Sequence, residues 1–370
     1  MTENNQPTTF ICSCCGGEFP IEDRCRMDGS DLCSTCFEES TTACSCCGEI
    51  IWLSDNAGDD GTPLCADCCD EYYVRCRDCG ALLLRSDAEY DDEDEAYCPV
   101  CYRQHRTVIH DYNYKPEPIF YGTGPRFYGV ELEIDGGGKD SRKARQLLEV
   151  INADEELAYI KSDGSLNDGL EIVTHPMDLD CQLHKMPWKA LSEEALRLGY
   201  LSHKAGTCGL HIHVSRTALG DDEEEQEAVI GRILFFIERF WQELLRFSRR
   251  TEAQLSRWAA RYGYRDHPQD ALKNAKGSGS RYSCLNLQNL HTIEFRIFRG
   301  TLNTNTIFAA LQMVHAICSA AIVMSDEEMT ALNWCSFVAS LDEQAFPALI
   351  RYLKERRLYV NEPVSREEEH

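Results

Sequence analysis

Tyr128-Gly129-Val130-Glu131-Leu132-Glu133-Ile134-Asp135 is the stretch whose reading decides the fold. From Val130 onward it alternates apolar and acidic residues. Side chains two apart on a strand share a face, so Val130, Leu132 and Ile134 are expected to pack against a core while Glu131 and Glu133 project together from the other side. Taken alone, this describes a half-exposed strand with solvated glutamates as well as it describes a site.

Three later segments repeat the arrangement with complementary chemistry. Glu171-Ile172-Val173 follows the turn-rich run from Ser162 to Gly169, which reads as a hairpin feeding a strand that starts on a carboxylate. His211-Ile212-His213-Val214 puts two imidazoles on one face. Thr292-Ile293-Glu294-Phe295-Arg296-Ile297 pairs a glutamate with an arginine. If these faces converge, their charge exceeds what an interior tolerates, and a divalent cation is the simplest neutraliser. Carboxylate oxygens with one or two imidazoles suit Mg2+ or Mn2+ holding phosphate oxygens, with Arg296 offsetting charge on a transferring phosphoryl group.

In that order, YGVELEID (128–135), SDGSL (162–166) with GLEIV (169–173), GLHIHVS (209–215) and HTIEFRIFRGTLN (291–303) resemble the amidoligase branch of the carboxylate-amine ligases. That group is similar in fold to glutamine synthetase and glutamate-cysteine ligase. The resemblance runs from about Tyr112 to Met324. It implies an α+β fold, an antiparallel sheet of glutamine-synthetase-like type with helices on one side, cupping ATP and Mg2+ (or Mn2+). Carried over by position, it implies Glu131, Glu133, Glu171, His211 and Glu294 as metal ligands and Arg296 as the phosphate contact. His213 falls where a second histidine approaches the nucleotide; Arg281 and Asn286, in the strand before HTIEFR, are further nucleotide-binding candidates. Glu294, Arg296 and Glu131 would carry catalysis.

The first hundred residues follow a different logic. Most of the 21 cysteines lie there in paired knuckles: Cys12/Cys15 with Cys33/Cys36, Cys44/Cys47 with Cys65/Cys68, and Cys76/Cys79 with Cys98/Cys101. Gly16, Gly48 and Gly80 each follow a first knuckle, letting the chain curl so that backbone amides face the thiolates. Three tandem zinc ribbons are expected within residues 1–105, about 10–40, 42–73 and 74–105, each too small to fold without its structural Zn2+. Cys14 and Cys46 could substitute for a neighbouring ligand. The run Asp91–Glu95 and the scarcity of basic residues argue against nucleic acid and for docking of a protein or peptide, or for a purely structural cap.

Residues 106–126, rich in proline and aromatics, read as an extended linker lying along the next domain, or alternatively as one wall of a substrate groove. The catalytic domain is expected over 127–360, with a disordered tail at 361–370. Helices are expected over Ser141–Asn152 with a serine cap, over Met186–Leu198, and from Asp221 to about Leu245. Arg246, Arg249, Arg250, Arg257, Arg261, Arg265, Lys273 and Lys276 form the one basic region of a chain with formal charge −25. They either complement a helix C-terminus and surface acids or recognise an acidic substrate or ATP phosphates. The loop Lys276–Ser280 is glycine-rich enough to close over a site.

The net charge disfavours attraction to nucleic acid or anionic lipid. No charged segment precedes an apolar run at Met1–Pro7, and the apolar stretch Ile307–Met324 contains Gln312, His315 and Ser319. A cytoplasmic protein, in a bacterial or phage-infected host cell and without membrane association, is therefore expected. The function that emerges is an ATP-dependent carboxylate-amine ligase acting through an acyl phosphate, with ribbons that recruit a protein or peptide substrate. A phosphotransferase on the same scaffold, a metal-dependent hydrolase, a thiol enzyme built on Cys208 and a non-enzymatic zinc adaptor are the alternatives. The sequence leaves substrates and oligomeric state open.

Overall fold

The computed structural model describes residues 8–91, 94–278 and 280–359. Asp92 and Glu93 of the acidic loop, Gly279 of the glycine-rich loop and the tail 361–370 lie outside these. The chain divides into two units, 1–103 and 104–370.

In the first unit one pattern is built three times. A short hairpin carrying the first knuckle (Thr9–Ile11 with Glu18–Pro20, Thr41–Ala43 with Ile50–Trp52, Tyr73–Arg75 with Leu82–Leu84) is followed by the second cysteine pair at the start of a helix. Those helices are Ser34–Ser40, Ala66–Tyr72 and Pro99–Val108. As a ribbon requires, a second hairpin leads into the second pair in the first module (Arg24–Met27 with Ser30–Cys33) and in the third (Glu89–Tyr90 with Ala96–Tyr97), and the helix then follows. Gly16, Gly48 and Gly80 take left-handed backbone (φ 72°, 78° and 73°), as the knuckle turn demands.

The second unit is organised by a seven-stranded sheet. Its strands are β1 (Ile109–His110), β2 (Tyr128–Ile134), β3 (Ala158–Lys161), β4 (Leu170–Thr174), β5 (Gly209–Ser215), β6 (Leu285–Asn286) and β7 (Thr292–Arg299). Their spatial order is β1-β3-β4-β2-β5-β7-β6. All neighbours are antiparallel except the edge pair β1 and β3. Segment 106–126 is thus not wholly extended: it begins inside the helix Pro99–Val108 and then supplies β1. Beyond β1 it does lie along its own unit. Tyr121 N donates to Pro176 O, and Thr123 N and Gly124 N donate to Asp178 Oδ2. Gly122 has φ 95° and lies so close to the Asp178 carboxylate that a Cβ would collide with it.

Alternation predicts the sheet's two faces. Tyr128, Val130, Leu132, Ile134, Ile160, Ile172, Leu210, Ile212, Ile293 and Phe295 are buried in one core. Helices complete that core: α1 (Ser141–Ile151), α2 (Leu179–His184), α3 (Trp188–Arg197), α4 (Glu223–Arg239), α5 (Trp241–Ser248), α6 (Glu252–Trp258), α7 (Pro268–Lys276) and α8 (Thr304–Val323). Two details differ from the sequence reading. The cap of α1 is Asp140, whose carboxylate accepts Arg142 N and Lys143 N, and not Ser141. The long helix from Asp221 is two helices broken at Phe240 (φ −102°, ψ 32°), and its cap is Asp222. Among the described residues α8 is long and apolar enough to cross a membrane. Its Ile307, Leu311, Val314 and Ile317 are instead buried in the core, and its His315 Nδ1 lies 2.7 Å from Tyr128 Oη.

Candidate active site and cysteine clusters

Strand register carries the separated motifs into rows on the other face. Glu133 lies opposite Glu171, and Glu171 opposite Lys161. Glu131 lies opposite His211. Gly129, His213, Glu294 and Asn286 form the next row. Arg296, two residues beyond Glu294, shares its face by alternation, and a bulge on β7 sets Arg296 and Ile297 against the single residue His211.

The side chains meet. His211 Nδ1 is 3.2 Å from Glu131 Oε2 and 3.6 Å from Glu294 Oε1, while its Nε2 is 3.9 Å from Glu133 Oε1. His213 Nε2 lies 3.1 Å from Glu131 Oε1, and its Nδ1 lies 3.1 Å from Thr292 Oγ1. Glu294 accepts from Asn286 Nδ2 (2.8 Å), from Asn289 Nδ2 (3.3 Å) and from Arg296. Glu133 accepts the backbone N–H of Gly209. Two ligand triads result, Glu131/His211/Glu294 and Glu133/Glu171/His211, each with one donor atom per residue within 4.8 Å of the others. His211 belongs to both.

Electrostatics divides the acids. Burial would raise Glu131, but the His213 and His211 imidazoles outweigh it and hold that carboxyl well below the usual range. Glu294 is likewise held down against its burial, chiefly by His213. At the other end burial raises Glu133, only partly offset by His211. Burial and the nearby Glu131 charge push Glu171 well above the usual range despite Lys161. Glu171 Oε2 is 3.1 Å from Lys161 Nζ yet receives no well-directed hydrogen bond, and neither does His213 Nε2. Buried carboxylate and imidazole atoms with unmet demand are what a hard divalent cation satisfies, so the donor set fits Mg2+ or Mn2+.

The sequence reading missed Lys161, which caps the Glu171 end. Its signal was present in Ala158-Tyr159-Ile160-Lys161, where Tyr159 and Lys161 alternate with buried Ala158 and Ile160. Asn289 was also missed. Arg281 lies in the loop before β6 rather than in the strand, and it is exposed. It donates to Tyr112 Oη (2.6 Å) and to Tyr282 Oη (2.6 Å). Because Lys161 Nζ donates to Tyr112 O (3.3 Å), Tyr112 and Arg281 form a rim beside the acidic rows. Cys208 is buried, and burial pushes its thiol up to about 12, which makes it a poor nucleophile.

In the first unit the twelve expected cysteines gather as three sets of four, with Cys14 and Cys46 exposed outside them. Four sulfurs at 2.3 Å from a tetrahedral zinc would be about 3.8 Å apart. Cys47 and Cys65 Sγ are 3.8 Å apart, and Cys79 and Cys98 Sγ are 4.0 Å apart. Backbone N–H groups aim at the sulfurs, as in Cys33 N to Cys12 Sγ (3.4 Å) and Cys36 N to Cys33 Sγ (3.4 Å). Such bonds, from Cys15 and Cys33 and from Cys47 and Cys65 respectively, lower the Cys12 and Cys44 thiols to about 6. Each set can hold one zinc ion.

The sheet face that gathers these acids, two histidines and an arginine over an apolar core could hold a divalent cation at either triad. Residues 222–318, which carry Glu294 and Arg296, match the family described as "Putative amidoligase enzyme". The match leaves Glu131, Glu133, Glu171, His211 and His213 outside its bounds. No curated protein sequence matches significantly. Among solved structures, a bifunctional glutathione synthetase from Pasteurella multocida is similar over 62% of this chain at 15% identity and a TM-score of 0.36. The chain spans 46% of that protein's length.

Proposed function

We propose that the second unit is an ATP-dependent carboxylate-amine ligase, and that the cysteine-bearing unit recruits a protein or peptide substrate to it. One observation carries the reading: four strands separated in sequence bring two carboxylate-histidine triads and Arg296 onto one sheet face. Glu131, His211 and Glu294 would hold one cation, and Glu133, Glu171 and His211 another. Bound there, Mg2+ or Mn2+ would neutralise and align the oxygens of the ATP phosphates.

In the reaction proposed, a substrate carboxylate oxygen attacks the terminal phosphorus of ATP, and the bond to the β-phosphate oxygen breaks to release ADP. The amine nitrogen then attacks the acyl carbon of the resulting acyl phosphate; the bond from that carbon to the phosphate oxygen breaks, inorganic phosphate leaves, and the nitrogen loses a proton to give the amide. Arg296, fixed by Glu294, faces the charge that develops on the transferred group. His213, held between Glu131 and Thr292, would contact the nucleotide, with Asn286 orienting Glu294. Arg281 and Tyr112 would border the entrance. The protein's part is positioning and electrostatics, with no covalent step asked of it.

Incubating the full chain with Mg-ATP and cell extract tests this. ADP release should be accompanied by a product lighter than its two substrates by one water, and the Glu294→Gln variant should make neither. A phosphorylated product without amide formation would instead identify a phosphotransferase, and turnover without nucleotide would identify a hydrolase.

A further inference from the structure

Away from the acidic rows the second unit contains a cavity of ≈ 690 Å³, a size suited to a small-molecule ligand. It is lined by Arg246, Arg249, Arg250, Arg299, Arg356 and Arg357, which come from the end of α5, the end of β7 and the segment after the last helix, Pro347–Glu355. Glu243 is the one carboxylate among its lining residues. None of the six arginines forms an ion pair among the described residues, although the chain carries a formal charge of −25. Six cations crowded around one hollow repel each other, and a folding requirement alone would have paired them with the plentiful acids.

The backbone supports this crowding. Arg249 and Arg357 both take left-handed backbone, with φ 58° and 54°. Arg356 Nε and Nη2 are both anchored on Arg246 O, at 3.1 and 2.9 Å. Arg250 connects the cavity to the sheet. Its Nη1 donates to Arg296 O (3.3 Å), and its Nη2 lies against Gly209, where a Cβ would meet it at 2.7 Å. Gly209 N is the donor to Glu133, so Arg250 stands between the arginine cavity and the Glu133 end of the acidic face.

We propose that this cavity binds a small substrate carrying at least two anionic groups, carboxylate or phosphate, gripped by guanidinium forks at the edge of the ligase site. Planar guanidinium groups match such oxygens in pairs. That the anion is the carboxylate substrate rests on the ligase reading; that the cavity is an anion site does not.

The test is titration calorimetry on the zinc-loaded full chain without nucleotide or added divalent cation. Triglutamate peptide and inorganic pyrophosphate are the probes, and acetate is the monoanion control. Both probes should bind more tightly than acetate and weaken as salt rises. The tighter of the two identifies carboxylate or phosphate as the preferred group. Arg246→Gln and Arg249→Gln alter exposed side chains and should leave thermal unfolding unchanged while weakening the probes at least ~10-fold each. Glu294→Gln should bind them as the native chain does. Absence of binding at millimolar probe, undiminished binding in both arginine variants, or loss of binding in Glu294→Gln would each overturn the inference. Intact probe binding in a protein that never consumes ATP would leave the anion site standing and remove the ligase reading alone.

Discussion

Replacing Glu294 by glutamine isolates the charge on which the acidic face depends. The side chain keeps its volume, so packing against the sheet is preserved. Its hydrogen bonding is not: one oxygen accepts from Asn286 and Asn289, and the other faces Arg296 and lies 3.6 Å from His211 Nδ1. An amide has one oxygen, so either orientation turns an NH2 group toward other donors. Losing one charge-assisted bond at a buried position costs about 1.5–3 kcal/mol, which a denaturant midpoint would register while the protein stays folded. The larger effect concerns cation affinity. Deleting a mere hydrogen-bond partner of a metal ligand commonly weakens binding about 10–100-fold, and deleting a ligand should do at least as much. Calorimetric titration of Mn2+ into the zinc-loaded protein reads this directly, because Mn2+ does not compete for thiolate sites. Native chain and variant should differ by that factor or more at the Glu131/His211/Glu294 triad. Equal Mn2+ affinity in the two proteins would show that Glu294 is no ligand and would dismantle the argument from convergence.

Cys33→Ser removes one thiolate from the first cluster, and metal analysis should find zinc falling from three ions per chain to two, with the remaining sets intact. Glu238, almost wholly buried, accepts from Arg261 Nε (2.9 Å), Tyr262 N (2.7 Å) and Gly263 N (3.1 Å), so Glu238→Ala should lower stability by about 3–5 kcal/mol in urea unfolding. Burial, aided by Arg126, depresses His315 to about 4, against 6.5 ordinarily. The unfolded chain therefore binds the extra proton first: the contribution of neutral His315 is complete above pH 6.5, declines as pH falls, and is gone below about 4. His315→Gln should flatten the stability slope between those values. Partial solvent access keeps the difference below the roughly 1.4 kcal/mol per pH unit of a fully shielded proton.

What could be read from the chain without coordinates was periodic or regularly spaced. Cysteine pairs 32 residues apart with a glycine after each first knuckle specify three similar modules, because a tetrahedral ion needs four nearby sulfurs and little else. Strict alternation assigned Glu131, Glu133, Glu171, His211, His213 and Glu294 to the face opposite the core, because a strand has only two faces. Helix ends were less legible. Asp140 and Ser141 both offer a capping oxygen, and the break at Phe240 falls within an unbroken apolar stripe.

Tertiary structure decided what depends on register between distant strands and on chain ends meeting. Nothing local reveals that β2 lies between β4 and β5, that a bulge gives His211 two residues opposite it, or that Lys161 sits across from Glu171. The arginine cavity is the extreme case. Its walls come from segments about fifty residues apart or more, each with arginines that by themselves read as ordinary surface charge. Sequence fixes which groups each element offers to a face, since that follows from backbone geometry within a few residues. Which groups meet is set by burial of the common core, a property of the whole unit.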